Sequence, residues 1–438
     1  MKKEYDVIII GSGAAGLTAA YKCNLEGKRV AVIDSGPIRG TCALRGCDPK
    51  KVLYGGAEFV DFHNRMKELA TFKQDISVDW NSLMQFKRTF TDLLPREMEQ
   101  SLKEMGIHAY HGKARFLDES TIGIANQTLS AEHIVVATGA KPLELKIPGE
   151  ELLTTSDQFL NADHLPQDII FVGGGFISFE FANIAARAGS SVTILHRSDN
   201  FLKRFDPDLV KKVVEASAQA GINMIPHNEV KEIVREQNKL KVITNHDSFS
   251  ADMVVHGAGR VANLDLDLDK GNIKTRGGGI AVNKYMQSIS NPIVYAAGDC
   301  TEKSRKLTPI ANIEGDIAAT NILKGNTKEM NYTGIPAVVF TFPPLGSVGT
   351  SEGHQVVFKD QSDWYTAKRI KLSHAASKII IDEEDKIVGA HYLGPDAQEI
   401  INFFSLAIRM GLTASQLKEL AYTFAYPSTA SFIRYMLP

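Results

Sequence analysis

The residues best suited to chemistry stand together in Gly40-Thr41-Cys42-Ala43-Leu44-Arg45-Gly46-Cys47-Asp48-Pro49-Lys50-Lys51. Two cysteines five positions apart cannot bridge across a regular helix. The axial rise over five residues is about 7.5 Å, whereas a disulfide wants its Cα atoms within roughly 4.4–6.8 Å. If Cys42 and Cys47 pair, the backbone between them must leave helical geometry, and Gly46 makes that departure cheap. Pro49 suits the first turn of a helix beginning near Cys47. Such a start places Cys47 in a positive field to which Lys50 adds, and both favour the thiolate. The plainer alternative is a pair of buried structural cysteines. A metal site would need more ligands, and the only histidine near in sequence is His63, so zinc is not expected.

The surrounding chain supplies the elements that would hold such a pair. Tyr5 to Ile10 is a short apolar run without alternation, the pattern of a buried parallel strand. It enters Gly11-Ser12-Gly13-Ala14-Ala15-Gly16, a helix follows to about Glu26, and Arg29 to Ile33 forms the next strand. Asp34 stands 23 residues after Gly11, where an acid accepts a ribose hydroxyl. Cys23, inside that helix, reads as a small core hydrophobe. From Gly55 to about Gly106 the pattern is helical, with breaks at Trp80 and Leu93-Leu94-Pro95. Short strands then end in Ile134-Val135-Val136, and Ala137-Thr138-Gly139 is a small-residue crossing able to pass close to the first nucleotide.

A second copy begins at Ile169 to Val172 and enters Gly173-Gly174-Gly175-Phe176-Ile177-Ser178. A helix to about Ala188 and a strand at Ser191 to Leu195 follow. The residue 23 positions after Gly173 is His196, so the acid is gone, and Arg197, Lys203 and Arg204 follow. Replacing a carboxylate by cations suits a ribose 2′-phosphate, so this site is expected to prefer NADPH to NADH. The alternative is a solvated basic loop. Two fingerprints beside a reactive dithiol outline an electron path from NADPH through a flavin to the disulfide.

Composition sets the frame. The chain has 438 residues, 44% hydrophobic and 23% charged, which allows two or three domains. A net charge of −2 gives no footprint for nucleic acid. Four cysteines are too few for a secreted disulfide framework. Met1-Lys2-Lys3 before Val7-Ile8-Ile9-Ile10 superficially resembles a signal peptide, but Glu4 and Asp6 interrupt it and a glycine fingerprint ends it. No apolar run reaches membrane-spanning length. A cytoplasmic protein without membrane partners is expected.

These motifs resemble the pyridine nucleotide–disulfide oxidoreductases, the group of glutathione reductase, dihydrolipoamide dehydrogenase and mercuric reductase. The resemblance covers nearly the whole chain. It rests on the segment 40–51, on Ala137-Thr138-Gly139, on Gly-x-Gly-x-x-Ser-x-Glu at 173–180 and on Ala297-Gly298-Asp299. Leu307-Thr308-Pro309 and Val339-Phe340-Thr341-Phe342-Pro343 complete it. It implies an α/β fold with two Rossmann-like domains, binding FAD over 1–150 and 255–330 and NADPH over 151–254. A C-terminal α+β domain over 331–438 would make a homodimer, with strands near 366–372, 377–381 and 387–393 and helices near 396–410 and 414–421. The FAD site would use Gly11, Gly13, Ala14, Ala15, Gly16, Asp34, Ser35, Gly40, Thr41, Lys50, Ala137, Thr138, Gly139, Asp299, Leu307, Thr308 and Pro309. The NADPH site would use Gly173, Gly175, Phe176, Ile177, Glu180, His196, Arg197, Lys203 and Gly259. In this resemblance Cys42 is the interchange thiol that attacks substrate and Cys47 the thiol facing the flavin. Lys50 and Glu180 match the ion pair beside flavin N5, Phe176 takes the place of a gating tyrosine, and Asp299 meets the ribityl or ribose part of FAD. Cys300 is expected to be packed rather than reactive.

The resemblance fails where substrate is handled. The family ends on a His-Pro motif with a Glu five residues after the His, an acid–base dyad for thiol exchange. Here Tyr426 and Ser431 occupy those positions. A phenol, with an ordinary pKa of about 10, is a poor base at neutral pH, although it can donate a hydrogen bond. Ala14, Tyr21 and Asp316 replace a serine and two arginines that grip glutathione, and an anion opposite a dicarboxylate opposes binding. The chain also ends at Met436-Leu437-Pro438 without the terminal cysteine pair of mercuric reductases. The expected activity is NADPH-dependent reduction, through FAD and the Cys42–Cys47 disulfide, of a small disulfide or other oxidant other than glutathione. Two alternatives stand beside it: reduction of quinones or metal ions directly from the flavin, and a redox-sensing flavoprotein.

Overall fold

The computed structural model describes residues 4–69 and 74–438. The basic start at Met1-Lys2-Lys3, and the part of the expected helical stretch at 70–73, lie outside the described residues. The described chain forms two compact units. One comprises the chain up to Lys51, Gln85–Leu143 and Arg260–Asn331; the other comprises Val52–Met84, Glu144–Gly259 and Tyr332–Pro438.

The first unit is built on β1 (Tyr5–Ile10), α1 (Ala14–Leu25) and β2 (Val30–Asp34). Parallel strands run in the order His108–His111, β2, β1 and Gln127–Val136, with Val294–Ala296 beside the last. The far end of Gln127–Val136 turns antiparallel against Thr121–Ile124 and Ala114–Asp118. Val7, Ile8, Ile9 and Ile10 are all buried, as expected of a strand covered on both faces. Helix α1 packs closely on the helix Thr308–Lys324 because small residues line the contact. A Cβ added at Gly315 would sit 2.3 Å from the Ala15 carbonyl oxygen, and Ala15 and Ala311 share one buried cluster. This close approach carries Thr308 to the strand ends, where the cysteines lie.

The second unit repeats the plan with β3 (Asp168–Val172), α4 (Phe176–Arg187) and β4 (Ser191–Leu195), numbering as α2 and α3 the cysteine-bearing helices Gly40–Arg45 and Cys47–Met66. Its parallel sheet runs Asn223–Ile225, β4, β3, Met253–His256. An antiparallel sheet of Val230–Glu236, Lys239–Thr244 and Ser248–Ala251 accompanies it. The C-terminal part is an antiparallel sheet in the order Ala337–Val339, Leu345–Gly349, Ile387–Leu393, Ala376–Ile381, Gln355–Asp360, packed by helices Ala397–Met410 and Ala414–Ala421. The α/β class, with paired nucleotide-binding folds and an α+β end, is the one expected.

One expected element is different. Residues 366–372 are not a strand. Tyr365–Lys368 is a short helix, and the chain turns back so that the Leu372 N–H bonds to the Ala367 carbonyl at 3.0 Å. The β-rich sequence from about residue 332 onward suggested a strand there, but burial of Ala367, Leu372 and Ala375 in one cluster decides the conformation. The strand that pairs with Ala376–Ile381 is instead Gln355–Asp360.

Candidate active site

The dithiol sits where two helices begin. Helix α2 ends at Arg45, Gly46 breaks the helical path at φ −146° and ψ −114°, and α3 starts at Cys47. A Cβ on Gly46 would lie 3.0 Å from the Thr41 carbonyl oxygen and 3.3 Å from Cys42 Cα, so a glycine lets the two short segments fold against each other. All four cysteines are free thiols. Thr308, the first residue of its helix, donates its hydroxyl to Cys42 Sγ at 2.9 Å and lies 3.6 Å from Cys47 Sγ. The amino termini of α3 and of Thr308–Lys324 therefore both bring their positive ends to the sulfurs.

The pair is asymmetric. The hydrogen bond from Cys42 lowers the Cys47 thiol to about 6 against the opposing effect of burial, with Thr308 and Lys50 helping. Cys42 moves the opposite way, raised first by that same bond and then by burial. In the reduced state the two sulfurs share one proton, with the charge on Cys47. Cys23 and Cys300 are fully buried, and burial pushes each thiol up to about 12, so neither competes as a nucleophile.

The first glycine loop is shaped for a dinucleotide. A Cβ at Gly11 would meet the Ala137 carbonyl oxygen at 2.2 Å, and one at Gly16 would meet the Gly11 carbonyl oxygen at 1.8 Å, whereas Gly13 faces open space. Gly40, at φ +73°, passes so near that its Cβ would lie 2.5 Å from Gly13 Cα. Asp34 Oδ2 accepts the Ser12 N–H at 2.7 Å and its hydroxyl at 2.6 Å, and Oδ1 accepts the Gly36 N–H at 2.8 Å. Ser35, next to it, is exposed, as is Thr41, while Lys50 is half-buried. Ala137 is anchored by donating its N–H to the Ile10 carbonyl at 2.7 Å, Thr138 donates to the Asn263 carbonyl at 2.7 Å, and Gly139 turns at φ +67°. Gly298, just before Asp299, donates its N–H to Glu314 Oε2 at 2.7 Å. Leu307 caps the helix in which Thr308 and Pro309 are the first residues. Ala14 and Ala15 begin α1 over this loop. These residues fit FAD: a bare glycine crossing for its pyrophosphate, an acid at the strand end, and a helix amino terminus beside the dithiol.

The second loop lies in the second unit. Gly173 turns at φ +105° against Gly257 and Ala258, Gly175 caps α4, and Gly259 turns at φ +128°. Phe176 is half-exposed at the first position of α4, with Ile177 behind it. Glu180 is buried on α4 and accepts the Phe340 N–H at 2.9 Å. The Gly174 N–H is donated to His196 Nδ1 at 3.0 Å. Arg197, Lys203 and Arg204 are exposed and form no ion pair among the described residues. An open loop with three available cations fits a 2′-phosphorylated ribose.

Sequence reasoning missed four contributors. Ser12 shares the Asp34 carboxylate, Glu314 holds the turn before Asp299, the Thr308 hydroxyl serves the sulfurs, and Gly174 engages His196. Their partners lie 16 to 266 residues away in sequence, so only the fold reveals them. The substrate-related departures are also visible. Tyr426 is exposed, and Ser431 donates its hydroxyl to the Ser428 carbonyl at 2.7 Å, engaged in its own turn. Tyr21 donates to Met98 Sδ, and Asp316 is neutralised by Lys22 at 2.5 Å and Lys328 at 2.7 Å. The repulsive anion expected at Asp316 is thus an ion-paired one.

Among the described residues no three metal-ligating side chains gather, and no helix is long and apolar enough to cross a membrane. Residues 5–315 match the pyridine nucleotide-disulphide oxidoreductase family, and residues 335–436 match its dimerisation domain. A glutathione reductase of Nostoc sp. (strain PCC 7120 / SAG 25.82 / UTEX 2576) is 30% identical over 94% of this chain and 95% of its own. A mercuric reductase of Staphylococcus aureus is 29% identical over 95% of this chain and 79% of its own. The solved Cu(II) complex of the HOCl-induced flavoprotein disulfide reductase RclA from Escherichia coli superposes with a TM-score of 0.89, at 26% identity, over 100% of this chain and 99% of that one. The dithiol, the paired nucleotide folds and these matches lead to one assignment: the chain belongs to the pyridine nucleotide-disulphide oxidoreductases, FAD-containing enzymes that use NAD(P)H and act on sulfur groups.

Proposed function

We propose that this enzyme uses NADPH and FAD to reduce a small disulfide or other small oxidant through Cys42 and Cys47, and that glutathione disulfide is not its substrate. The observation that carries this reading is the thiol–thiolate pair with Thr308 at 2.9 Å from Cys42 Sγ. Bound FAD would supply the two-electron link between NADPH and the cysteine pair. The chain's residues do the remainder. With a disulfide substrate, Cys42 attacks one sulfur as its proton passes to Cys47, a mixed disulfide forms and one thiolate leaves. Cys47, returning that proton to the departing group, then attacks Cys42 Sγ, releasing the second thiol and closing the Cys42–Cys47 disulfide. The shared proton lets this sequence run without an external base, which matches the loss of the histidine at Tyr426. Tyr426 would serve as a hydrogen-bond donor to substrate from the second copy of a homodimer.

On the same reading, residues 1–150 with 255–330 form the FAD domain, 151–254 the NADPH domain and 331–438 the interface domain. The FAD residues Gly11 through Pro309 and the NADPH residues Gly173 through Gly259, Lys50 and Glu180 among them, keep the roles given above. A cytoplasmic setting, where thiols stay reduced, suits the pair.

A second reading has a specific observation in its favour: the solved RclA structure is a Cu(II) complex, and a mercuric reductase is among the relatives. On it, metal ions or quinones receive electrons without passing through the dithiol. NADPH consumption with a panel of disulfides, quinones and metal ions, run beside Cys42→Ala, separates the two. Collapse of turnover in the variant supports the dithiol route; undiminished turnover transfers the function to the second reading.

A further inference from the structure

The two glycine loops are held by the same bond made with different chemistry. In the first, the N–H of the second loop residue, Ser12, goes to a carboxylate oxygen of Asp34 at 2.7 Å. In the second, the equivalent N–H of Gly174 goes to His196 Nδ1 at 3.0 Å. A carboxylate accepts on either oxygen with lone pairs to spare. A neutral imidazole accepts on one nitrogen only, and only while that nitrogen carries no proton. The Gly174 bond therefore assigns the tautomer: Nδ1 bare and the proton on Nε2, which lies 3.3 Å from both the Asn200 carbonyl oxygen and Ser198 Oγ. The ring is also confined. A Cβ on Gly174 would come within 2.8 Å of it and 2.6 Å of Phe201, whose ring centroid is 5.3 Å from the imidazole. Turning the ring over would put a C–H where the acceptor is needed.

We propose that His196 is a positioning residue of the coenzyme site that holds the glycine loop only as the neutral Nε2–H ring, so that coenzyme binding weakens on its protonation. One side of the ring fixes the glycine loop that must cradle the pyrophosphate. The other side ties down Ser198 and Asn200, in the turn between Arg197 and Lys203. Protonation makes Nδ1 a donor facing the Gly174 donor, and the loop loses its anchor. Asp34 offers lone pairs on two oxygens, so the dependence on one bare nitrogen belongs to the second site alone. The charged groups around the ring are Arg197 and Asp199 of its own loop, of opposite sign. The turn after Asn223–Ile225, whose Asn228 N–H bonds to the His196 carbonyl at 2.8 Å, adds His227 and Glu229, the latter paired with Lys231. The glycine loop adds no titratable group. Burial favours the neutral ring. This inference rests on the reading of the site as one for NADPH.

The probe is adenosine 2′,5′-bisphosphate, titrated calorimetrically into the FAD-loaded protein between about pH 5 and 8, the range in which histidine titrates. Wild type should bind roughly ten-fold more weakly at the acid end, the worth of one loop hydrogen bond, beyond any change from titration of the phosphate itself. His196→Asn, which supplies a neutral amide oxygen in place of Nδ1, reports that phosphate contribution alone and should give the flatter profile. Nitrogen NMR of the His196 ring in coenzyme-free protein should show the Nε2–H tautomer at neutral pH. Superimposable profiles for the two proteins, acid-strengthened binding in wild type alone, or an Nδ1–H ring would overturn the proposal. If the bisphosphate binds no better than ADP at any pH, the NADPH reading fails instead, and the tautomer still decides the role of His196.

Discussion

The thiol asymmetry can be tested by removing its main cause. Cys42→Ala deletes the hydrogen bond that does most to hold Cys47 at about 6. A hydrogen bond to a charged group is worth about 1.5–3 kcal/mol, and one pKa unit corresponds to about 1.4 kcal/mol, so Cys47 should rise by about one to two units. At pH 7 the thiolate fraction then falls from about nine-tenths to between roughly a half and a tenth. Cys42→Ser restores a donor and should leave Cys47 near its wild-type value. The sign is fixed by the direction of the shift: Cys47 is charged above about pH 6 and loses its charge as the pH falls through that value. The assay is the pH dependence of iodoacetamide alkylation at Cys47, read by mass spectrometry on the reduced protein. An unchanged midpoint in Cys42→Ala, or equal midpoints in the alanine and serine variants, would refute the shared-proton description.

Three further outcomes follow from the geometry. Arg197→Glu should shift the ratio of kcat/KM from NADPH towards NADH by at least about ten-fold, the value of one charge-assisted phosphate contact; an unchanged ratio in steady-state assays would detach the basic loop from coenzyme choice. Gly40→Ala forces a Cβ to 2.5 Å from Gly13 Cα at a φ of +73°, so the purified variant should retain markedly less FAD, measured by its absorbance ratio. In the second unit, Arg187 is buried with its guanidinium on Asp61 at 2.7 Å and over the Phe342 ring at 4.3 Å. Arg187→Met should cost about 2–4 kcal/mol in urea unfolding, somewhat under the roughly 3–5 kcal/mol of a lone buried pair, because Arg65 remains on Asp61.

What could be read from the chain alone was whatever is written locally. The strand–glycine–helix units at 5–34 and 168–195 carry their own signals in apolar runs and glycine spacing, and they formed within a residue or two of expectation. The cysteine pair was legible because Gly46 and Pro49 mark the helix break between its members. The expected strand at 366–372 failed because the β-rich character of the C-terminal region describes only a preference, whereas burial of Ala367 beside Leu372 settles the matter. Thr308 was placed at the flavin, but its link to the sulfurs depends on two helices meeting through Ala15 and Gly315, which no local pattern announces. Asp316 shows the same limit for charge: its sign was legible, its neutralisation by Lys22 and Lys328 was not.

The central claim is that Cys42 and Cys47 carry the electrons that NADPH supplies. Oxidised enzyme, treated anaerobically with one equivalent of NADPH, alkylated, and digested to the peptide containing residues 40–51, tests it directly. Both cysteines should be blocked as a disulfide before NADPH, and both should gain an alkyl group after it. A pair that stays disulfide-bonded while the flavin is reduced, or that is fully alkylated without NADPH, would contradict it.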